Sequence, residues 1–316
     1  MRAAIASACL LGASTAHADS NDLVLSRLGT HVTDAAGTST STVGDNLAFR
    51  ALASQLGTAL APHLLTPADS LGFSGFQMSV DYAATTIDRG ADSWRVLAGA
   101  DHPSSLQTVG FFARKGLWLP VPSFEVGAGA VHLVDSHLWT GQFYGKLALH
   151  EGYHDLPLPS FAVRGAVSRL MNQRELDLTT ASLDLEVSKH LGIGGTWRLD
   201  PFAGWDLLMI IPRSEVINGT PNVDPLQPGN EADAMNNFVF KDQDTIYRNR
   251  FFLGAKFQYY VFELTLEAQF ALAGTSVDDR AGTNAACTAM STTSECDAKD
   301  TAKAQTTLAM SAGFDF

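Results

Sequence analysis

Long runs in which apolar and polar residues strictly alternate constrain this chain more than any other feature. In residues 76–82, Phe76, Met78, Val80 and Tyr82 alternate with Gln77, Ser79 and Asp81. In residues 179–189, Ala181, Leu183, Leu185 and Val187 alternate with Ser182, Asp184, Glu186 and Ser188. Residues 260–272 set Tyr260, Phe262, Leu264, Leu266, Ala268, Phe270 and Leu272 against Val261, Glu263, Thr265, Glu267, Gln269 and Ala271. A period of two puts each set on one face of a strand. The same pattern suits a half-buried soluble sheet. Three details favour a sheet with lipid on one side. The segments are about ten residues or longer, as tilted spanning strands must be, whereas soluble strands have a mode of about five or six. Aromatic residues gather near segment ends, as in Tyr259, Tyr260 and Phe262 or Phe314 and Phe316, which fits interfacial girdles. The connections alternate in length. Residues 119–122, 190–192 and 259–260 are tight, whereas 88–104, 212–243 and 274–302 are long and polar. Spanning barrels have short inner turns and longer outer loops.

Charge supports the same reading. Only 17% of the residues are charged, below the roughly 25% usual for soluble domains. No stretch reaches the ~20 uninterrupted apolar residues of a spanning helix, so a helical bundle is excluded. A closed barrel is the remaining spanning solution, because lipid offers no partner to an open sheet edge.

The predicted fold is all-β: a transmembrane antiparallel up-and-down barrel of about ten strands, with a range of ten to twelve. The strands are expected at 72–87, 105–118, 123–135, 137–150, 159–170, 177–189, 193–211, 244–258, 260–273 and 303–316. A chain end at Phe316 on the inner side places all three long loops outside, with 135–137 and 171–176 as outer turns. Residues 22–65 are less regular and would have to supply any further pair.

The N-terminus reads as an export signal. Arg2 precedes the small apolar run of residues 3–13, and Ala16, His17 and Ala18 match an A-x-A cleavage pattern followed by Asp19. Cleavage between Ala18 and Asp19 removes one base and no acid. It leaves 20 basic against 33 acidic groups, a formal charge of −13. Such a chain repels phosphate backbones, so nucleic acid is not an expected partner. The expected organisation is a signal at 1–18, a flexible and partly helical segment at 19–66, and a barrel at 67–316. Residues 19–45 are rich in Ser, Thr, Gly and Asp and read as mostly flexible. From Asp45 or Asn46, either of which could cap a helix, Leu47, Phe49, Leu52, Ala53, Leu56 and Leu60 fall at three- and four-residue spacings. A short helix in the periplasm or inside the barrel is one reading, and a strand over 57–64 competes with it.

The signal, the alternating segments and the last strand together carry a resemblance. Residues 308–316 alternate Leu308, Met310, Ala312, Phe314 and Phe316 with Ala309, Ser311, Gly313 and Asp315, and close on Phe. The chain resembles a Gram-negative outer-membrane β-barrel protein over about residues 70–316, at the level of architecture. The resemblance implies an outer-membrane location, recognition of the strand carrying Phe314 and Phe316 by the barrel assembly machinery, and outer-membrane lipids and lipopolysaccharide as surroundings. It carries no catalytic or cofactor-binding residue to this sequence, and no cofactor is expected.

Chemistry-bearing motifs are sparse. His150-Glu151-Gly152-Tyr153-His154 matches H-E-x-x-H, but zinc chemistry needs a helix through it. Gly152, Pro157 and Pro159, after an alternating run, point to a turn instead. No P-loop is present, and neither G-x-S-x-G nor G-x-G-x-x-G is complete. Cys287 and Cys296 form an even pair in an exported chain, which favours a disulfide over a metal site. Acids cluster in the long loops: Glu215, Asp224, Glu231, Asp233 and Asp242, then Asp278, Asp279, Glu295, Asp297 and Asp300. They could hold Ca²⁺ or lipopolysaccharide-bridging Mg²⁺, but they lack EF-hand spacing, and solvated charge is the stronger reading.

The candidate site residues are the inward charges. Arg248, Arg250 and Lys256 share a face opposite Tyr247, Phe251, Leu253 and Phe257. A turn at Tyr259-Tyr260 would set Lys256 opposite Glu263, and the turn at 171–176 would set Arg164 opposite Asp184. Glu186 and Glu267 fall on the same inward phase. These groups either line a permeation path for small solutes or neutralise a filled interior. A barrel of about ten strands lies nearer the filled eight-stranded case than the ~16-stranded porins. Three functions are weighed: a small-solute pore, a plugged structural or surface-binding barrel acting through its outer loops, and a barrel-embedded hydrolase. For the last, Asp135, Ser136 and His137 meet at one tip without forming triad geometry, and an enzyme is not expected.

Overall fold

The computed structural model describes residues 19–33, 35, 39–99, 103–118, 123–152, 158–224, 226–278 and 299–316. Ten long strands follow one another: β1 (Phe76–Thr86), β2 (Ser105–Leu117), β3 (Phe124–Leu133), β4 (Trp139–His150), β5 (Ser160–Met171), β6 (Leu176–Ser188), β7 (Trp197–Ser214), β8 (Ile246–Tyr259), β9 (Phe262–Ala271) and β10 (Gln305–Asp315). Each pairs antiparallel with its neighbours in sequence, and β10 returns to β1 through pairs such as Leu308 with Ala84 and Phe314 with Met78. The sheet therefore closes and leaves no free edge, so every strand satisfies its backbone internally. The short strand Leu191–Ile193 folds onto the start of β7.

Every expected strand is present. β1 begins at Phe76, later than the expected start at 72, because residues 72–75 form a turn with Gly72 and Ser74 at positive φ. Arg164 faces Asp184 across β5 and β6, as the turn position predicts. Lys256 does not face Glu263: it is paired with Thr265, and Gln258 faces Glu263. The two turn residues are Tyr260 and Val261, with Tyr260 at φ +53°, so the pairing centre lies one residue further on than a Tyr259-Tyr260 turn places it.

A helix, α1 (Asn46–Leu60), fills the upper half of the barrel. Asp45 caps it, its side chain accepting from the Ala48 N–H at 3.0 Å. The competing strand over 57–64 does not form. Pro62 disfavours further helix for the residue before it and lacks an amide to continue the ladder. Fourteen of the fifteen helical residues are buried, because the wall surrounds α1 on all sides. Gly57 lets it approach β7 closely: a Cβ there would lie 2.7 Å from the Ile210 side chain.

The upper lumen is an apolar core. Phe49, Leu52, Leu56 and Leu60 of α1 pack with Leu176 and Leu178 of β6, Leu208 and Ile210 of β7, and Ile246 of β8. The described residues of 19–45 are not the free segment that their composition suggests. Leu23, Leu25 and Leu28 are buried in the same core against Trp94, Val96 and Leu97. A hairpin of Gly29–Thr33 with Ser39–Gly44 continues above them. Three leucines in a Ser/Thr-rich stretch suffice because a prebuilt apolar ring receives them. Cys287, Cys296, Ala18 and the rest of the expected signal lie outside the described residues.

Candidate functional site

Below α1, residues 61–71 run irregularly down the lumen, and most of the inward charges converge on them. All eight candidates (Arg164, Asp184, Glu186, Arg248, Arg250, Lys256, Glu263 and Glu267) are buried on the inner face. Arg164 pairs with Asp184 and also donates to the carbonyls of His63 (3.3 Å) and Leu64 (3.1 Å). Arg250 pairs with Asp206 and donates to the Pro62 carbonyl (3.3 Å) and to Gln269 (3.1 Å). Glu267 accepts the Leu65 N–H at 2.9 Å. Leu65 is held at φ +46°, a left-handed conformation that costs a non-glycine residue on the order of 1 kcal/mol and here aims that N–H at the wall. Lys256 reaches Glu263 diagonally at 2.6 Å and Asp315 at 3.3 Å. Arg248 lies higher and donates to Ser54 of α1 at 2.7 Å. Neither oxygen of Glu186 has a hydrogen-bond partner among the described residues.

Several groups of this network escaped the sequence reading. Lys146 on β4 pairs with Glu125 on β3 at 3.3 Å and donates to the carbonyls of Pro67 (2.9 Å) and Asp69 (2.8 Å). Glu125 also accepts from Tyr144 (2.7 Å) and from the Leu71 N–H (3.0 Å). Lys146, Glu125 and Asp206 stand on the inward phase of their strands, so the alternation itself could have marked them. At the short-turn end a cavity of about 230 Å³ is lined by Asp69, Ser70, Glu151, His190 and Arg198. His190 pairs there with buried Asp200 at 2.7 Å. The first half of the H-E-x-x-H match lies here on a strand end, not on a helix. Glu151 accepts from the Ser70 N–H at 3.0 Å, and Tyr153 and His154 lie outside the described residues.

At the long-loop end a cavity of about 410 Å³ is bordered by Arg213, Glu215, Asp242 and Gln243, so two of the expected loop acids face it. The β3–β4 turn carries His137 to Asp22. The ring Nδ1 is 2.8 Å from one carboxylate oxygen, the His137 N–H donates to the other at 2.7 Å, and Asp19 adds a carboxylate oxygen 3.6 Å from Nδ1. The hydrogen bond to Asp22 and its charge push the exposed His137 imidazole up. Partial burial pushes the Asp22 carboxyl up, but the His137 N–H and ring outweigh it and hold the group below its usual range.

The outer surface settles the setting. Phe111, Phe143, Leu185, Phe251, Leu266 and Leu308 project outward and exposed from six strands, while charges fill the inside. Aromatic rings cluster at the short-turn end, with Trp197 against Phe257 and Tyr259, and Phe314 against Phe262 and Phe316. An apolar band with an aromatic girdle around a closed, even-stranded wall is built for lipid. The chain is a bacterial outer-membrane β-barrel. No protein-family model matches it, and no curated protein matches it. Among solved structures it is similar to Ail, the attachment invasion locus protein of Yersinia pestis, at 8% identity over 77% of this chain and 99% of that one, with a TM-score of 0.29. It is also similar to Omp33 of Acinetobacter baumannii (9% identity, 78% and 100% covered, TM-score 0.26) and to OmpT of Vibrio cholerae (9% identity, 67% and 56% covered, TM-score 0.25). At these values the three say nothing about what this barrel does.

Proposed function

We propose that this is a plugged, non-enzymatic barrel that acts through its outer face as a structural or surface-binding protein. One observation carries the reading: α1 and residues 61–71 occupy the lumen from the long-loop end to the short-turn end, sealed above by an apolar core and below by paired charges. The small-solute pore needs the same residues displaced. It draws support from the polar lower lumen, where Arg164, Arg250, Lys146 and Lys256 would line the vacated path. Displacement would strip the main-chain hydrogen bonds that Arg164, Arg250, Lys146 and Glu267 make with residues 61–71, and a hydrogen bond to a charged group contributes about 1.5–3 kcal/mol.

The expected surroundings are outer-membrane lipid and lipopolysaccharide, with assembly through the barrel machinery acting on the strand that ends at Phe314 and Phe316. The cleaved signal and the Cys287 and Cys296 disulfide belong to this proposal as well. Conductance of the purified, β-rich protein in a planar bilayer tests it. A silent bilayer is expected. Discrete steps that vary with salt would overturn the plugged reading in favour of the pore.

A further inference from the structure

The direction in which the plug is threaded has a topological consequence. Barrels of this class place short turns in the periplasm and long loops outside. Here the connection of Tyr260 and Val261 is tight, whereas β7 to β8 and β9 to β10 are joined by long segments at the opposite end. The described residues of 19–45 lie at the long-loop end. The Asn21 N–H donates to the Asp135 carbonyl in the β3–β4 turn, Leu23 bridges to Leu97, and Gly29 and Gly44 abut Phe238 in the β7–β8 connection. The chain then descends through α1 and residues 61–71 and enters β1 at the short-turn end, where the Phe76 N–H donates to the Phe316 carbonyl.

The lower wall holds this descending segment by its main chain. Six carbonyls are taken: Leu60 by Gln142 and Ser168, Pro62 by Arg250, His63 and Leu64 by Arg164, and Pro67 and Asp69 by Lys146. Four amides are taken: Leu65 by Glu267, Ala68 by Ser188, Ser70 by Glu151 and Leu71 by Glu125. Pro62 and Pro67 have no amide to satisfy. Side chains from several strands thus do for one irregular segment what neighbouring strands do in a sheet, and they read backbone groups that any sequence presents.

We propose that the barrel presents its own N-terminal segment, residues 19–45, on the cell surface, carried there through the lumen in a cradle that binds the main chain of residues 61–71. The inference rests on the outer-membrane setting and not on the lumen being closed to solutes. The test is an epitope inserted between Thr33 and Ser39 in the full chain, read by antibody on intact cells. A second epitope between Thr220 and Asn230 marks the outside, and a third between Tyr260 and Val261 marks the periplasm. The first two should read on intact cells with no gain on permeabilisation, and the third only after it. An outer-loop epitope that reads while the hairpin epitope stays silent until permeabilisation would overturn the threading. The reverse pattern, with only the Tyr260 epitope reading on intact cells, would overturn the orientation. Because an insertion could disturb the hairpin, exposed Ala35→Cys, with Cys9→Ala, Cys287→Ser and Cys296→Ser, repeats the test with a membrane-impermeant maleimide. Labelling in intact cells is expected, and loss of that labelling in a barrel shown to be folded would refute the proposal. Conductance is a separate readout, so failure here and failure of the plugged reading are distinguishable.

Discussion

Phe49→Ala is the sharpest perturbation of the plug. The ring is fully buried and stacked on Phe240 at a centroid distance of 4.2 Å and an interplanar angle of 6°. It joins the helix to the β7–β8 connection without touching the pairing of any barrel strand. Truncating a buried Phe to Ala costs about 3–5 kcal/mol, which includes the cavity left in a core that relaxes only partly. That cost falls on docking of the helix, because the wall keeps its closed hydrogen-bonded circuit. At about 1.4 kcal/mol per factor of ten, undocking becomes roughly two to three and a half orders of magnitude more frequent. Hydrogen exchange read by mass spectrometry tests this, with peptides from α1 compared against peptides from β3 to β6 in the same sample. Protection should fall in residues 46–60 and hold in the strands. Equal loss in strands and helix would refute the reasoning, since plug and wall would then open as a single unit. Unchanged protection in α1 would refute it as well, because the ring would then contribute nothing to docking.

Gly57→Val places a branched side chain against Ile210 and should loosen α1 by about 1–3 kcal/mol, read as faster exchange in the helix; an unchanged rate would show that β7 yields freely. Glu267→Met leaves the Leu65 N–H without its acceptor and should cost about 1–3 kcal/mol by chemical denaturation, whereas Glu267→Gln keeps an oxygen there and should recover most of the loss. The Asp22 and His137 pair predicts a pH window. The contribution of His137, whose folded value is raised, is fully present below its ordinary value of 6.5 and is lost as pH rises through the raised one. The contribution of Asp22, whose folded value is lowered, is present above 3.8 and is lost as pH falls through the lowered one. Protection in residues 19–24, taken relative to the intrinsic exchange rate at each pH, should therefore be greatest between the two limits, and protection that stays flat from pH 4 to pH 8 would count against the pairing. Intact mass and alkylation should find a mature chain starting at Asp19 with Cys287 and Cys296 bridged; two free thiols would remove the disulfide from the proposal.

The wall was legible because its two faces meet different media. Phe251, Leu253 and Phe257 face out while Arg248, Arg250 and Lys256 face in, so polarity records the geometry at every second residue. The helix was legible from its cap: Asp45 followed by apolar residues at helical spacing is a local signal, and the structure uses it. What the sequence hid lies in the contacts between plug and wall. Residues 61–71 are held largely by carbonyls and amides, which every residue type carries, so no pattern of side chains announces them. Leu23, Leu25 and Leu28 offered too few apolar positions to outweigh their polar neighbours, and their partners, Trp94, Val96 and Leu97 among them, come from distant parts of the chain. The pairing of Lys256 was missed by a single step, because turn geometry and not polarity decides between adjacent registers.

The apolar upper lumen bears on how such a barrel can change over time. Leu208, Ile210 and Ile246 belong to strands whose other face already meets lipid, so these strands are oily on both sides near the outer rim. An ancestor or variant that lost α1 would be left with a hydrophobic bore at that level, which excludes water instead of conducting it. Emptying this barrel into a channel therefore takes more than deleting the helix. The wall residues that face it must change as well, and until they do, cork and bottle are inherited together.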